Sequence, residues 1–311
     1  MKGLVDADIL VFRAGFAAER NKWFLKVGPP RGDWMVQEFE YKKDANAALD
    51  KALPGIYSRE EGKDYQLWSE RQVEPVENAL HLVKQQMNKI MDACDLTEFD
   101  IVCYLSGPTN FRYDIAKTRP YKGNRDAKHR PTHEVAIRDY IRGQWETVVT
   151  DGYEADDALG IAQCKADVHS TCIISIDKDL NMIPGLHDDF MHELHYDITE
   201  EQGWRLFCLQ LLTGDTTDNI PGLEGIGAKK ADKILDGLPQ ADWMQAVVSA
   251  YASKSGKKDW FKYLREQAAL IWILREEQVG MDNARFRHLI ADEYNDIGGT
   301  FDGTDEISLF D

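Results

Sequence analysis

The sequence predicts an α/β fold on a central, mostly parallel sheet flanked by helices. Three observations predict it: short apolar runs read as strands, amphipathic segments of helical period lie between them, and acids recur where those runs end. The 311 residues carry 37 Lys plus Arg against 54 Asp plus Glu, a net charge of −17, which excludes a basic DNA-coating protein. A hydrophobic content of 43% and this length support a real core. No uncharged apolar stretch approaches the ~18 residues of a membrane span, so a soluble, cytoplasmic protein with no membrane contact is expected. The five cysteines, Cys94, Cys103, Cys164, Cys172 and Cys208, are odd in number and never spaced C-x-x-C. Buried, reduced thiols are therefore expected, not a disulfide framework or a Cys-based zinc site.

The first strand is read over residues 3–12, an apolar run broken by Asp6 and Asp8. Carboxylates inside a buried strand are costly. Residues 21–71 lose the pattern in Gly, Pro, Trp and mixed charge and read as an irregular or hairpin-bearing insertion. Pro75 opens a helix whose stripe Val76, Leu80, Val83, Met87 and Ile90 has helical spacing. Strands follow at 100–105, 147–150 and 171–176, with a helix over 154–165. In LHDDFMHELH, His187, His192, Glu193 and His195 could suggest zinc, but the stretch alternates like an exposed-edge strand whose histidines are polar-face residues. Thr199 and Gln202 make a capping box for a helix to Leu212, opening a smaller helical part. Residues 292–311 hold seven acids and no Lys or Arg, the composition of a flexible tail.

Four segments place acids just after an apolar element: LVDADIL, GYEADDALG, SIDKDL and LTGDTTDNIPG. They supply Asp6, Glu154, Asp156, Asp157, Asp177, Asp179, Asp215 and Asp218, which a parallel sheet could gather at one edge. So many buried like charges require cations. Oxygen-only ligands suit Mg²⁺, with Mn²⁺ an alternative, and the cluster is rich enough for two ions about 4 Å apart on a phosphodiester. Singly, each segment could equally be a helix cap or turn.

The last segment runs on as DNIPGLEGIGAKKADKIL, where Gly225 and Gly227 precede a helix carrying Lys229 and Lys230. Glycines let backbone N–H groups approach a phosphate at a helix N-terminus, the pattern of a helix-hairpin-helix grip on duplex backbone. Residues 112–130 carry seven Lys or Arg against two Asp, +5 in an acidic chain. Arg112, Lys122, Arg125 and Lys128 interleaved with Tyr121 fit a channel for single-stranded phosphates.

In motif order (an Asp in the first strand, FR then YKGNR, GYEADD, SIDKDL and GD-x-x-DNIPG-x-x-GIG-x-K) the chain resembles the phage and bacterial 5′-nucleases, the flap endonuclease and 5′-3′ exonuclease group. The resemblance covers most of residues 1–238. It implies a PIN-like nuclease core over 1–198, with the insertion at about 21–71 and a basic helical arch at about 106–143. It also implies a helical DNA-binding region over 199–291, with the helix-hairpin-helix at about 213–237, then the acidic tail. It implies Mg²⁺ held by the acids named above, with K⁺ a further candidate ion at the hairpin. Lys122 and Arg125 fall on the basic arch residues that steer the scissile phosphate and stabilise its charge, and Tyr121 on the arch aromatic. The expected substrate is DNA with 5′ ends or flaps, or an RNA–DNA hybrid, in replication, recombination or primer removal. Without a polymerase domain the chain looks like a stand-alone phage enzyme acting in the host cytoplasm. One departure stands out: Ser106 lies where the family carries an acid. Glu306–Phe310 resembles a sliding-clamp docking peptide. The alternatives are a PIN-like ribonuclease of RNase H type and a non-catalytic DNA-binding scaffold.

Overall fold

Gly3, Leu4 and Val5 lie in register with Ile101, Val102 and Cys103 on one side and with Cys172, Ile173 and Ile174 on the other. This central strand anchors the computed structural model of the protein, which describes residues 1–28, 35–53, 60–62, 64–125 and 130–277. The chain forms two compact units. Among the described residues, one comprises 1–9, 86–125 and 141–277 and the other 10–85 and 130–140.

In chain order the elements are β1 (Lys2–Asp6), α1 (Ala7–Ala17), β2 (Glu19–Val27), β3 (Met35–Phe39), α2 (Lys42–Ala52), β4 (Tyr65–Val73), α3 (Val76–Cys94) and β5 (Ile101–Leu105). They continue as α4 (Arg112–Ile115), α5 (Glu134–Gln144), β6 (Glu146–Val149), α6 (Ala155–Lys165), β7 (Thr171–Ile174), β8 (Gly185–Asp189) and β9 (Leu194–Ile198). The last are α7 (Glu200–Thr213), α8 (Ala228–Leu235), α9 (Trp243–Lys254) and α10 (Trp260–Ile271).

The larger unit holds a six-stranded sheet ordered β6-β5-β1-β7-β8-β9. All its pairings are parallel except β8 with β9. The predicted α/β class with a mostly parallel sheet is the observed one. β5 is buried along its whole length, as a central parallel strand must be. Helix α6 packs on β1, β5 and β7, while α7 to α10 pack on one another and share the main core with Phe207, Tyr251 and Leu264.

The smaller unit holds a three-stranded antiparallel sheet, β3-β2-β4, with α2 against β2 and β3. Leu25, Ala45 and Leu49 are buried there, and Phe24 stacks on Trp68 at 5.4 Å. Of the two readings of the insertion over 21–71, the hairpin-bearing one is observed where described, and the irregular one is corrected.

Two further expectations need correction. The strand read over 3–12 ends at Asp6, and the rest is the start of α1, whose buried Ala7, Leu10, Val11 and Ala14 follow helical spacing. Asp6 therefore sits at a strand end, still paired with Tyr104 and buried. The thiols are all free, but Cys164 is exposed. No helix of the described residues is long and apolar enough to cross a membrane. The acidic tail, Lys128 and Glu306–Phe310 lie outside the described residues.

Candidate metal centre

Parallel strands deliver their carboxyl ends to one edge, and this unit puts acids there. Asp6 closes β1, Asp177 follows β7, and Glu154 caps α6 after β6, in a reciprocal capping box with Asp157. Asp177 also accepts from Asp179 N at 2.9 Å, which fixes the turn that carries both. Asp215 and Asp218 sit in a loop pinched shut by the paired backbone bonds between Asp215 and Ile220, 2.8 and 2.7 Å.

Two glycines make that pinch. Gly214 (φ +72°) and Gly222 (φ +60°) cross so closely that a Cβ on either would lie 2.3 Å or less from backbone atoms of the other strand of the loop. Only glycine fits such a backbone with positive φ.

The acids form two groups that share Asp177. Burial, then Asp8 and Asp177, push Asp6 up to about 7 despite a 2.8 Å hydrogen bond from Ser175 Oγ. Asp156 is pushed up by burial, Asp6 and Asp177. Asp179 is raised to about 7 by burial, then by Asp177 and Asp215, and accepts from Gln210 Nε2 at 2.5 Å. These buried carboxylates repel one another, and their oxygens are hard donors. The donor set therefore fits divalent cations such as Mg²⁺, whose charge would remove that repulsion.

Glu154 is different. Burial opposes its ionisation, but Arg112 and Lys122 outweigh burial and hold it below the ordinary range. Lys122 Nζ bonds Glu154 and lies 3.8 Å from Asp218, while its backbone N donates to Asp218 O at 2.9 Å. Arg125 donates to Asp218 Oδ1 at 2.6 Å. Both predicted basic residues thus reach the acids, and Lys122 does so from a left-handed backbone (φ +52°).

Three predicted roles do not match the positions found. Asp157 is fully buried and spends its carboxylate on Arg112, at 2.6 and 2.9 Å, and on the N–H groups of Glu154 and Leu274. It has no oxygen left for a metal. Arg112, 2% exposed, also donates to Leu270 O and Trp272 O, so it holds the site's floor together and is not presented to DNA. Tyr121 is 4% exposed, with its hydroxyl 2.7 Å from Asp218 and 2.9 Å from Glu154, so it bridges acids where an aromatic lining a single-strand channel was expected. Gly225 has φ +75° and open space around its Cα, Gly227 caps α8, and Lys230 Nζ donates to Gly225 O at 2.7 Å. Lys229 is exposed on the first turn of α8.

The sequence reading missed Asp8. Its Oδ2 accepts from Ser106 N at 2.9 Å, and Ser106 Oγ in turn accepts from Ala155 N at 3.0 Å. An aspartate from the first turn of α1 thus stands at the end of β5, where the family resemblance called for an acid and Ser106 stands. The signal was present in Asp6-x-Asp8, but it is informative only if a helix begins between them. Gln210 was missed as well, and an isolated glutamine inside a helix has no sequence signature.

The chain is an α/β protein with a carboxylate edge whose oxygen donors suit divalent ions. Over 95% of this chain and 93% of its own, the T5 D15 protein co-crystallized with metal ions shares the fold, with a TM-score of 0.51 and 15% identity. The T5 5′-exonuclease with bound zinc does so with a TM-score of 0.50. In sequence, the chain is 34% identical to DNA polymerase I of Rhizobium leguminosarum over 143 residues, 40% of this chain and 14% of that protein. It is 27% identical to the 5′-3′ exonuclease of Bacillus subtilis over 152 residues, 43% of this chain and 51% of that one. The chain thus spans about a seventh of one relative and half of the other. No protein-family model matches. The resemblance to the 5′-nucleases holds in both sequence and fold.

Proposed function

We propose that the protein is a metal-dependent nuclease that hydrolyses DNA phosphodiesters from 5′ ends, as a 5′-3′ exonuclease or flap endonuclease. The observation that carries this reading is the convergence of Asp6, Asp8, Asp156, Asp177, Asp179, Asp215 and Asp218 on one sheet edge beside Lys122. Likeness to a 5′-3′ exonuclease supports it.

Asp6, Asp8, Asp156 and Asp177 would hold one Mg²⁺, and Asp179, Asp215 and Asp218 a second, with Mn²⁺ an acceptable replacement. Bound ions supply an activated water and neutralise charge on the phosphate. Lys122 and Arg125 neutralise the acids now and are placed to take a phosphate oxygen in exchange, stabilising the charge built in the transition state. The buried Tyr121 hydroxyl keeps Glu154 and Asp218 fixed between turnovers. The turn at Gly225 and Gly227, with Lys229 and Lys230 behind it, would hold duplex backbone, and Lys128 would extend the basic arch. K⁺ at that turn, a hybrid substrate and clamp docking through Glu306–Phe310 extend the same reading.

The test is cleavage of a 5′-labelled duplex, a 5′ flap and an RNA–DNA hybrid, with Mg²⁺ or EDTA. The expected outcome is metal-dependent release of short 5′ products, reduced at least ~100-fold by Asp177→Ala and by Asp8→Asn. Cleavage of the hybrid alone would establish the ribonuclease alternative, and DNA binding without cleavage the scaffold.

A further inference from the structure

Apart from the acidic edge, the larger unit brings a thiol, a carboxylate and an imidazole together. Cys94 ends α3, Asp188 lies in β8 and His195 in β9, and one ligand atom of each lies within 4.8 Å of the others. Asp188 is 1% exposed, and the Cys94 thiol hydrogen-bonds its carboxylate. His195 Nδ1 lies 2.6 Å from Oδ2. A buried carboxylate costs stability unless its charge is balanced, and a dication between these three groups would balance it. The neighbouring histidines are spoken for: His187 bonds Ile183 O at 2.7 Å and stacks on Tyr196, and His192 pairs with Asp189 at 2.7 Å.

We propose that Cys94, Asp188 and His195 bind one borderline-soft divalent cation, Zn²⁺ by preference, at a site separate in chemistry from the oxygen-only edge. Sulfur and nitrogen donors select zinc over Mg²⁺. The charges balance: on binding, Cys94 loses its thiol proton to solvent, and the thiolate and carboxylate cancel the dication while His195 stays neutral. Zn–S near 2.3 Å and Zn–N or Zn–O near 2.0–2.2 Å give ligand-to-ligand edges of roughly 3.4–3.6 Å. The His195–Asp188 pair must therefore open by about 1 Å, and the His195 side chain, 55% exposed, has room to do so. That exposure leaves a water as fourth ligand. The ion would fasten the end of α3 to the β8–β9 hairpin, elements distant in sequence. Residues spaced so widely form no motif, which is why the C-x-x-C criterion passes over them.

The test uses the full chain, reduced and metal-stripped, in excess Mg²⁺ to occupy the oxygen-only edge. Titration with Co²⁺ should give a sulfur-to-cobalt charge-transfer band, which carboxylates cannot produce, at one equivalent. Zn²⁺ should abolish the band and raise the melting temperature. Cys94→Ser should remove the band and the melting shift, and His195→Ala should weaken binding about tenfold or more. Cys172→Ser should retain the band, because that neighbouring thiol is not a ligand. No band in the wild type, a band surviving in Cys94→Ser, or undiminished binding in His195→Ala would overturn the assignment. Cys94→Ser lies at a partly exposed helix end, and its unaltered circular dichroism would exclude misfolding as the cause.

Discussion

Arg112 shows how a single side chain can be confused with a ligand-binding one. In the sequence it opens a basic run, and its charge reads as a phosphate contact. In the fold it is the buried partner of Asp157, with two backbone carbonyls accepting its remaining N–H groups. Its planar fork makes four such bonds, and an ammonium cannot reproduce them. Arg112→Met should therefore cost about 3 kcal/mol or more, since removing one partner of a buried pair strands the charge of the other. Urea unfolding at neutral pH measures it, and a loss under ~0.5 kcal/mol would show the pair to be dispensable. Asp177→Ala should cost much less, because the loss of its cap bond to Asp179 N is offset by the loss of one repelling carboxylate.

At the scale of elements, the Gly214–Gly222 crossing is what presents Asp215 and Asp218. Gly222→Ala would place a methyl 2.2 Å from Gly214 N at a φ of +60°. We expect a destabilisation of about 2–4 kcal/mol and weaker divalent binding, read by thermal melts and by Mn²⁺ titration. Unchanged Mn²⁺ affinity would show that the loop tolerates a shift. The elements legible in the sequence are those with a clear period or cap: α3 with its apolar stripe, β5 with its unbroken apolar run, and α7 with the Thr199–Gln202 box. The β1–α1 junction was not legible, because an apolar run of ten residues suits either a buried strand or a buried helix. For the same reason Asp8 went unassigned. The acids themselves could be named from spacing, whereas the fate of Asp157 and Tyr121 depended on which neighbour folding brought them, information absent from any local window.

At the scale of the whole molecule, clustered acids make stability depend on pH and metal together. Asp6 and Asp179 have folded values of about 7 against an unfolded value of 3.8. A raised carboxyl favours the fold when protonated, so that contribution is complete below about 4 and is lost as pH rises to about 7. The metal-free protein should therefore melt at progressively lower temperature from pH 5 to pH 7, and Mg²⁺ should restore much of the loss at pH 7. Equal pH slopes for wild type and an Asp6→Asn, Asp179→Asn double variant would refute this origin.

The bonds from Arg112 to Leu270 and Trp272 span 158 and 160 residues. During synthesis, the catalytic floor therefore lacks two of its fastenings until nearly all of the described chain has left the ribosome. A nascent chain carries every acid of the cluster long before that moment, but not the frame that aims them. Timing thus becomes a property of the fold: on the proposed activity, cutting begins only after residues 270–272 have emerged.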